Sequence, residues 1–218
     1  SGANSYAGAT LINEGVLNIQ NGRALGTRVG STTVASGAAL ELQGSITVSG
    51  EALVLSGSGV SSGGALRSIS GTNVWGGSVS LGSASRINAD AGLLTLSSGV
   101  SGTNVGLSVG GVGSVMVNGE IGLGSGGLTK DGVGTLTLNG VNTYSGATVV
   151  NGGTLIGVSG AFGVTNSLAV NGGRLEAVNY NGSAPLSVDA SGTALISGSG
   201  LSLGSVSNAN VGVDSVVF

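Results

Sequence analysis

Aliphatic residues return in pairs two positions apart along most of the chain: Leu40/Leu42, Ile46/Val48, Leu53/Leu55, Leu94/Leu96, Leu107/Val109, Val115/Val117 and Ile121/Leu123. The purest example is Thr135-Leu136-Thr137-Leu138, hydroxyl and aliphatic in strict alternation. A period of two marks a strand with one buried face. The same reading predicts strands at Ser78–Leu81, Arg86–Asn88, Ala147–Val150, Thr154–Ile156, Ser167–Val170, Arg174–Val178, Leu186–Val188, Ala194–Ile196 and Asp214–Val217. Gly57–Gly64 reads as a loop, and Asn139-Gly140 as a turn, because Asn and Gly accept positive φ most easily. Pro185, the only proline, precedes a strand, where its missing N–H is tolerated. No stretch keeps the 3.6-residue period of a helix.

About twenty strands of three to five residues fit two architectures. An antiparallel sandwich or barrel would use the Asn-Gly dipeptides as hairpins; a parallel β-helix would turn a corner at each Gly or Asn. Sandwich strands usually run to five or six residues, whereas here the buried pairs come back after six to eight. That spacing favours an all-β solenoid, a parallel β-helix. With about 20–25 residues per coil, the chain holds about ten coils, rising about 4.8 Å each.

An internal repeat organises the chain. Asn4–Leu17, NSYAGATLINEGVL, aligns with Asn142–Leu155, NTYSGATVVNGGTL, eight of fourteen residues being identical. The copies extend over residues 4–26 and 127–163, and Ser1 falls part-way through a unit. No change of composition marks a linker, so residues 1–218 are expected to form one β-helix segment cut from a longer protein.

Composition narrows the function classes. Gly contributes 46 of 218 residues and charged residues only 7%, yet 40% are hydrophobic, too many for a disordered Gly/Ser linker. The net charge is −3 and Lys130 is the only lysine; no basic patch points to nucleic acid. The 42 residues between Asp131 and Arg174 carry no charge, but Gly, Ser, Thr or Asn interrupts them every few positions, which is no transmembrane helix. No disulfide can hold the fold, since there is no cysteine, and neither terminus reads as a signal peptide.

The chemical inventory is sparse. Without His or Cys the usual nucleophile–base pairs and most zinc and iron sites are missing, and no cofactor is expected. The nine carboxylates, Glu14, Glu41, Glu51, Asp90, Glu120, Asp131, Glu176, Asp189 and Asp214, are scattered almost singly. Glycan cleavage needs two that converge. Glu41 and Glu176 read as solvated outward positions. Gly122–Gly127 matches GxGxxG but leads into a strand, so a phosphate would lack its helix N-terminus. Gly110–Ser114 is similar to a calcium nonapeptide with Ser in place of the ligating Asp, and Asn181-Gly182-Ser183 fits a glycosylation sequon. Trp75 is read as packing at a turn between coils, with sugar stacking as the alternative. Tyr6 and Tyr144 occupy equivalent repeat positions and read as structural. Thr32-Thr33 and Thr135/Thr137 do not recur from coil to coil as an ice-binding ladder requires. No catalytic, cofactor-binding or metal-binding residue is assigned, and the chain is not expected to be an enzyme.

The repeat carries a family resemblance. Leu128-Thr129-Lys130, Gly132-x-Gly134-Thr135-Leu136-Thr137-Leu138, Asn142-Thr143-Tyr144-x-Gly146, Asn151–Leu155 and the closing Ala161-Phe162-Gly163 resemble the passenger-associated repeat of bacterial autotransporters. The first copy matches from Asn4 to Ala24-Leu25-Gly26. The resemblance implies a right-handed, single-stranded parallel β-helix, extracellular on a Gram-negative cell surface. A C-terminal outer-membrane β-barrel is expected in the full-length protein and is not expected in this stretch, where the sequence predicts no strands of 9–11 residues, although the terminal Phe218 is similar to a barrel end. The implied function is a structural stalk supporting adhesion or display, with Leu136, Leu138, Leu155, Gly140 and Gly153 carrying the scaffold. The alternatives are a self-assembling filament or matrix subunit, with further copies of the chain docking end to end, and a glycan-binding or glycan-cleaving β-helix. Candidate partners are host or cell-surface glycans and proteins.

Overall fold

The computed structural model describes residues 2–180, 183–197, 206–208 and 216–217. The alternation in the sequence becomes three parallel β-ladders, each winding once per coil. The first begins with Thr10–Ile12 and passes through Ser31–Val34, Ala52–Gly57, the front of Val79–Ala89 and Val100–Gly102 to Ile121–Gly122. The second runs from Val16–Ile19 through Ala39–Gln43, Leu66–Ser70 and the rear of Val79–Ala89. It continues through Leu107–Gly111, Leu128–Lys130, Thr148–Val150, Leu168–Val170 and Leu186–Val188 to Val206–Asn208. The third starts at Thr47–Val48 and Thr72–Trp75 and reaches Val216–Val217 by way of Thr135–Leu138 and Thr154–Gly157. All the strand pairs are parallel, which rules out the antiparallel sandwich, and the stack makes about nine turns.

Coil length varies because turns, not strands, absorb insertions. Leu40 pairs with Leu66, 26 positions on, whereas Leu168 pairs with Leu186, 18 positions on. The longest coil contains the expected loop at Gly57–Gly64, which holds a single 3₁₀ turn at Val60–Ser62. Two expected strands, Ser78–Leu81 and Arg86–Asn88, are one 11-residue strand, Val79–Ala89, that serves the first ladder with its front and the second with its rear. The turn at Asn139-Gly140 also differs from its reading: Gly140 is not at positive φ. A side chain there would instead collide with the Gly119 carbonyl of the coil below, so close approach selects the glycine. Gly153 does adopt the left-handed region, φ 64°. Asp214, Phe218 and the Asn181-Gly182 part of the sequon lie outside the described residues.

The core is a set of side-chain columns along the axis. On the third ladder Leu94, Val115, Leu136, Leu155, Leu175 and Ala194 stack in register, all buried. Beside them run Trp75, Leu96, Val117 and Leu138, then Gly157. The gap that Gly157 leaves is occupied by the Phe162 ring, which a side chain at 157 would strike. Each buried aliphatic side chain contributes about 1.5–3 kcal/mol, while ordering a residue costs about 1–2 kcal/mol. One coil cannot fold alone; stacked coils share their interior.

Candidate functional surface

The repeat coil places polar groups inside the aliphatic columns and satisfies Lys130 and Asn142 with backbone partners and Tyr144 with a threonine hydroxyl. Lys130 follows Ile87 and Val109 on the second ladder and precedes Val150, so it points inward, 1% exposed. Its three N–H groups donate to the carbonyls of Asp131, Gly132 and Gly152, at 2.6, 2.9 and 3.1 Å. Burial lowers its pKa to about 8. Lys130 thereby fastens one coil's corner to the next. Gly153 lies against this cradle: a side chain at 153 would meet both the Gly134 carbonyl and Lys130 Nζ.

Asn142 and Tyr144 close the coil. The Asn142 amide accepts from the Ile121 N–H at 2.7 Å and donates to the Ala161 carbonyl. Tyr144 is fully buried, its hydroxyl 2.7 Å from Thr148 Oγ1, which in turn donates to Thr165 at 3.3 Å. The first copy repeats this chemistry: Asn4 donates to the Ala24 carbonyl at 2.7 Å, and the Tyr6 hydroxyl lies 2.7 Å from Thr10 Oγ1. The identical Asn, Tyr and Thr of the two copies thus make the same side-chain bonds. Tyr6 is 42% exposed, where Tyr144 is buried.

On the outside of the second ladder the register makes a polar column, Asn18, Glu41, Arg67, Asn88 and Gly110. Arg67 joins Glu41 at 3.1 Å to Asp90 at 2.5 Å. Asn88 donates to Asp90 and accepts from Arg86, and Arg86 holds Asp131 through two 2.6 Å bonds. Arg86 and Asp131 lie two coils apart and meet across Gly110, where a side chain would collide with both. Glu41 is therefore not the solvated position expected; its side chain is 13% exposed beneath Arg67. Glu41 and Asp90 share the Arg67 guanidinium, which holds both as ion-pair partners. Glu176 pairs with Arg174 at 2.6 Å.

Other sequence candidates resolve similarly. Trp75 is wholly buried and offers no ring to a sugar. Thr32 points inward and donates to Glu51 at 2.9 Å, a buried carboxyl whose pKa is raised by desolvation. Gly122–Gly127 opens the strand Leu128–Lys130, not a helix. Among the described residues no group of three or more metal-ligating side chains gathers, and no helix is long and apolar enough to cross a membrane. The inward Lys130 escaped the sequence reading, although Leu128-Thr129-Lys130 carries the signal: alternation puts Lys130 on the face of Leu128.

Comparison with known proteins agrees with this geometry. The family described as the passenger-associated-transport-repeat matches residues 1–19 and 128–156, the two repeat copies. The Adhesin BmaC autotransporter of Brucella suis biovar 1 (strain 1330) is 32% identical over 196 residues, which cover 83% of this chain. The chain spans 4% of that relative's length. No solved structure matches it significantly.

Proposed function

We propose, because this chain is a segment of an autotransporter passenger exposed at the bacterial cell surface, that it is a load-bearing spacer of an adhesin. It holds adhesive regions away from the outer membrane and catalyses no reaction. The observation that carries this reading is the unbroken parallel pairing of the second ladder from Val16 to Asn208. A rod cross-linked coil to coil by backbone hydrogen bonds, with interior clamps at Lys130, Asn142 and Tyr144, holds one span and one direction, where a Gly/Ser chain fluctuates over a broad range of end-to-end distances and transmits no orientation. The adhesin name of the relative supports the adhesive part.

The test replaces this segment within the full-length protein and measures attachment of bacteria to host-cell monolayers. A Gly/Ser linker of equal residue number should abolish attachment, and an equal number of coils from an unrelated β-helix should preserve it. Attachment that survives the flexible linker at equal surface expression removes the spacer role.

A further inference from the structure

The chain has six cationic side chains. Arg67, Arg86 and Arg174 are tied to carboxylates, and Lys130 to three carbonyls. The remaining two, Arg23 and Arg28, make no ion pair and no side-chain hydrogen bond among the described residues, and both line the same cavity of about 510 Å³. Its other walls are neutral hydrogen-bonding groups, among them Asn4, Ser5, Thr47 and Ser49, and no carboxylate lines it. Thr27, also in the wall, has a buried hydroxyl without a partner. The cavity lies where the corner of the first coil meets the second. Gly22 touches the Thr47 backbone there, leaving no room for a side chain, and Gly50, at φ 73°, lets the Arg28 stem lie across it.

From this arrangement we infer that the cavity binds a carboxylated or sulfated sugar. Two unpaired guanidiniums facing one space, in a chain whose net charge is −3, are positive potential left unneutralised at one place only. The volume is that of a small-molecule site and well beyond a bare oxyanion; the surrounding hydroxyls and amides suit a ligand that is itself hydroxyl-rich. The sequence reading, which found no basic patch, missed the site because Arg23 and Arg28 are only two charges and become neighbours in space through a turn. The inference supplies the adhesive reading above with a ligand class for this segment and is testable apart from it.

Isothermal titration of the whole chain with four probes decides it: a heparin-derived hexasaccharide, a hyaluronan hexasaccharide, maltohexaose and sodium sulfate. At least one acidic hexasaccharide should bind, maltohexaose should not, and binding should weaken at least tenfold in 0.5 M NaCl, which shortens the reach of charge–charge attraction. The Arg23→Gln/Arg28→Gln variant should lose at least tenfold in affinity at an unchanged melting temperature. Arg174→Gln, which removes an ordinary surface cation, should leave affinity as it was. Silence with both acidic sugars overturns the assignment, as does equal binding by the double variant; sulfate binding as tightly as the sugar overturns its sugar part. If full-length protein carrying the double substitution still mediates attachment, the spacer role stands and the pocket is not what attaches; loss of attachment on replacing the rod by a linker tests the spacer alone.

Discussion

Single side chains in the interior set how this protein responds to pH. Lys130 has its pKa lowered from 10.5 to about 8 by burial, so the unfolded chain holds that proton more tightly than the native one. Its contribution to stability therefore rises as pH rises through that window. Tyr144 acts in the opposite sense: burial raises its pKa, and above pH about 10 its ionisation favours the unfolded chain. Urea midpoints of the wild type should climb between pH 8 and 10, equivalent to at most about 3 kcal/mol, and Lys130→Met should flatten that climb. An equal climb in the variant would place the ammonium elsewhere. Glu51 is the acid-side counterpart. Desolvation raises its carboxyl pKa above 4.5, so its burial is unfavourable at neutral pH and the penalty fades as pH falls below the folded value. Glu51→Gln keeps an acceptor for Thr32 and loses the charge. The variant should melt higher than wild type at pH 7 and level with it at pH 4, as differential scanning calorimetry will record; no gain at pH 7 would mean that Glu51 is not confined as its 4% exposure indicates.

Within a strand, consequences depend on the face a position occupies. Leu136 is fully buried in the third ladder's column, while its neighbour Thr137 points out. Leu136→Asp should destabilise by at least about 3 kcal/mol, a buried unpaired charge, and Thr137→Asp by no more than about 0.5 kcal/mol. Comparable losses for the two in thermal melts would mean that the register is wrong. Gly110 tests the polar column on the other side of the backbone. Gly110→Ala should cost about 1–3 kcal/mol through overpacking against Arg86 and Asp131, and almost nothing in an Arg86→Ala/Asp131→Ala background, where the space is free. A double-mutant cycle showing simple additivity would deny that the pair passes over this glycine. These elements were legible in the sequence wherever period and packing agree, as at Leu94/Leu96 and Thr135–Leu138. They were illegible where a missing group comes from outside the strand. Gly157 looks like a break in a strand until the Phe162 ring from the following turn is seen to occupy the gap, and Val79–Ala89 looks like two strands because the small residues Gly82, Ser83 and Ala84 separate its two buried pairs. The carboxylate partners of Arg67 and Arg86 come from other coils, at separations that vary with turn length, so no fixed spacing announces them.

The whole molecule is quasi-one-dimensional: the backbone of each coil pairs with that of its neighbours, the Arg86–Asp131 pair reaching one coil further, and stability is close to a sum of coil and interface contributions. That property makes coil number, not sequence length, the natural unit of change. Leu107 and Leu128 occupy the same register position 21 residues apart. Deleting residues 107–127 joins Gly106 to Leu128 and sets Leu128 over Ser85, where Leu107 now pairs. Leu136 and Leu138 would then take the places of Val115 and Val117 above Leu94 and Leu96. Arg86 and Asp131, at present separated by the intervening coil with Gly110, would become neighbours. The shortened chain should fold to a parallel β-helix about 5 Å shorter by small-angle scattering and melt in one transition. Deleting residues 107–116 removes half a coil instead, so the chain must either cross the interior or place its aliphatic pairs outside, and it should expose apolar surface and bind a hydrophobic dye. If the 21-residue deletion behaves no better than the shorter one, the columns are not interchangeable along the axis, and the rod owes its stability to particular coils, chiefly the repeat with Lys130, Asn142 and Tyr144.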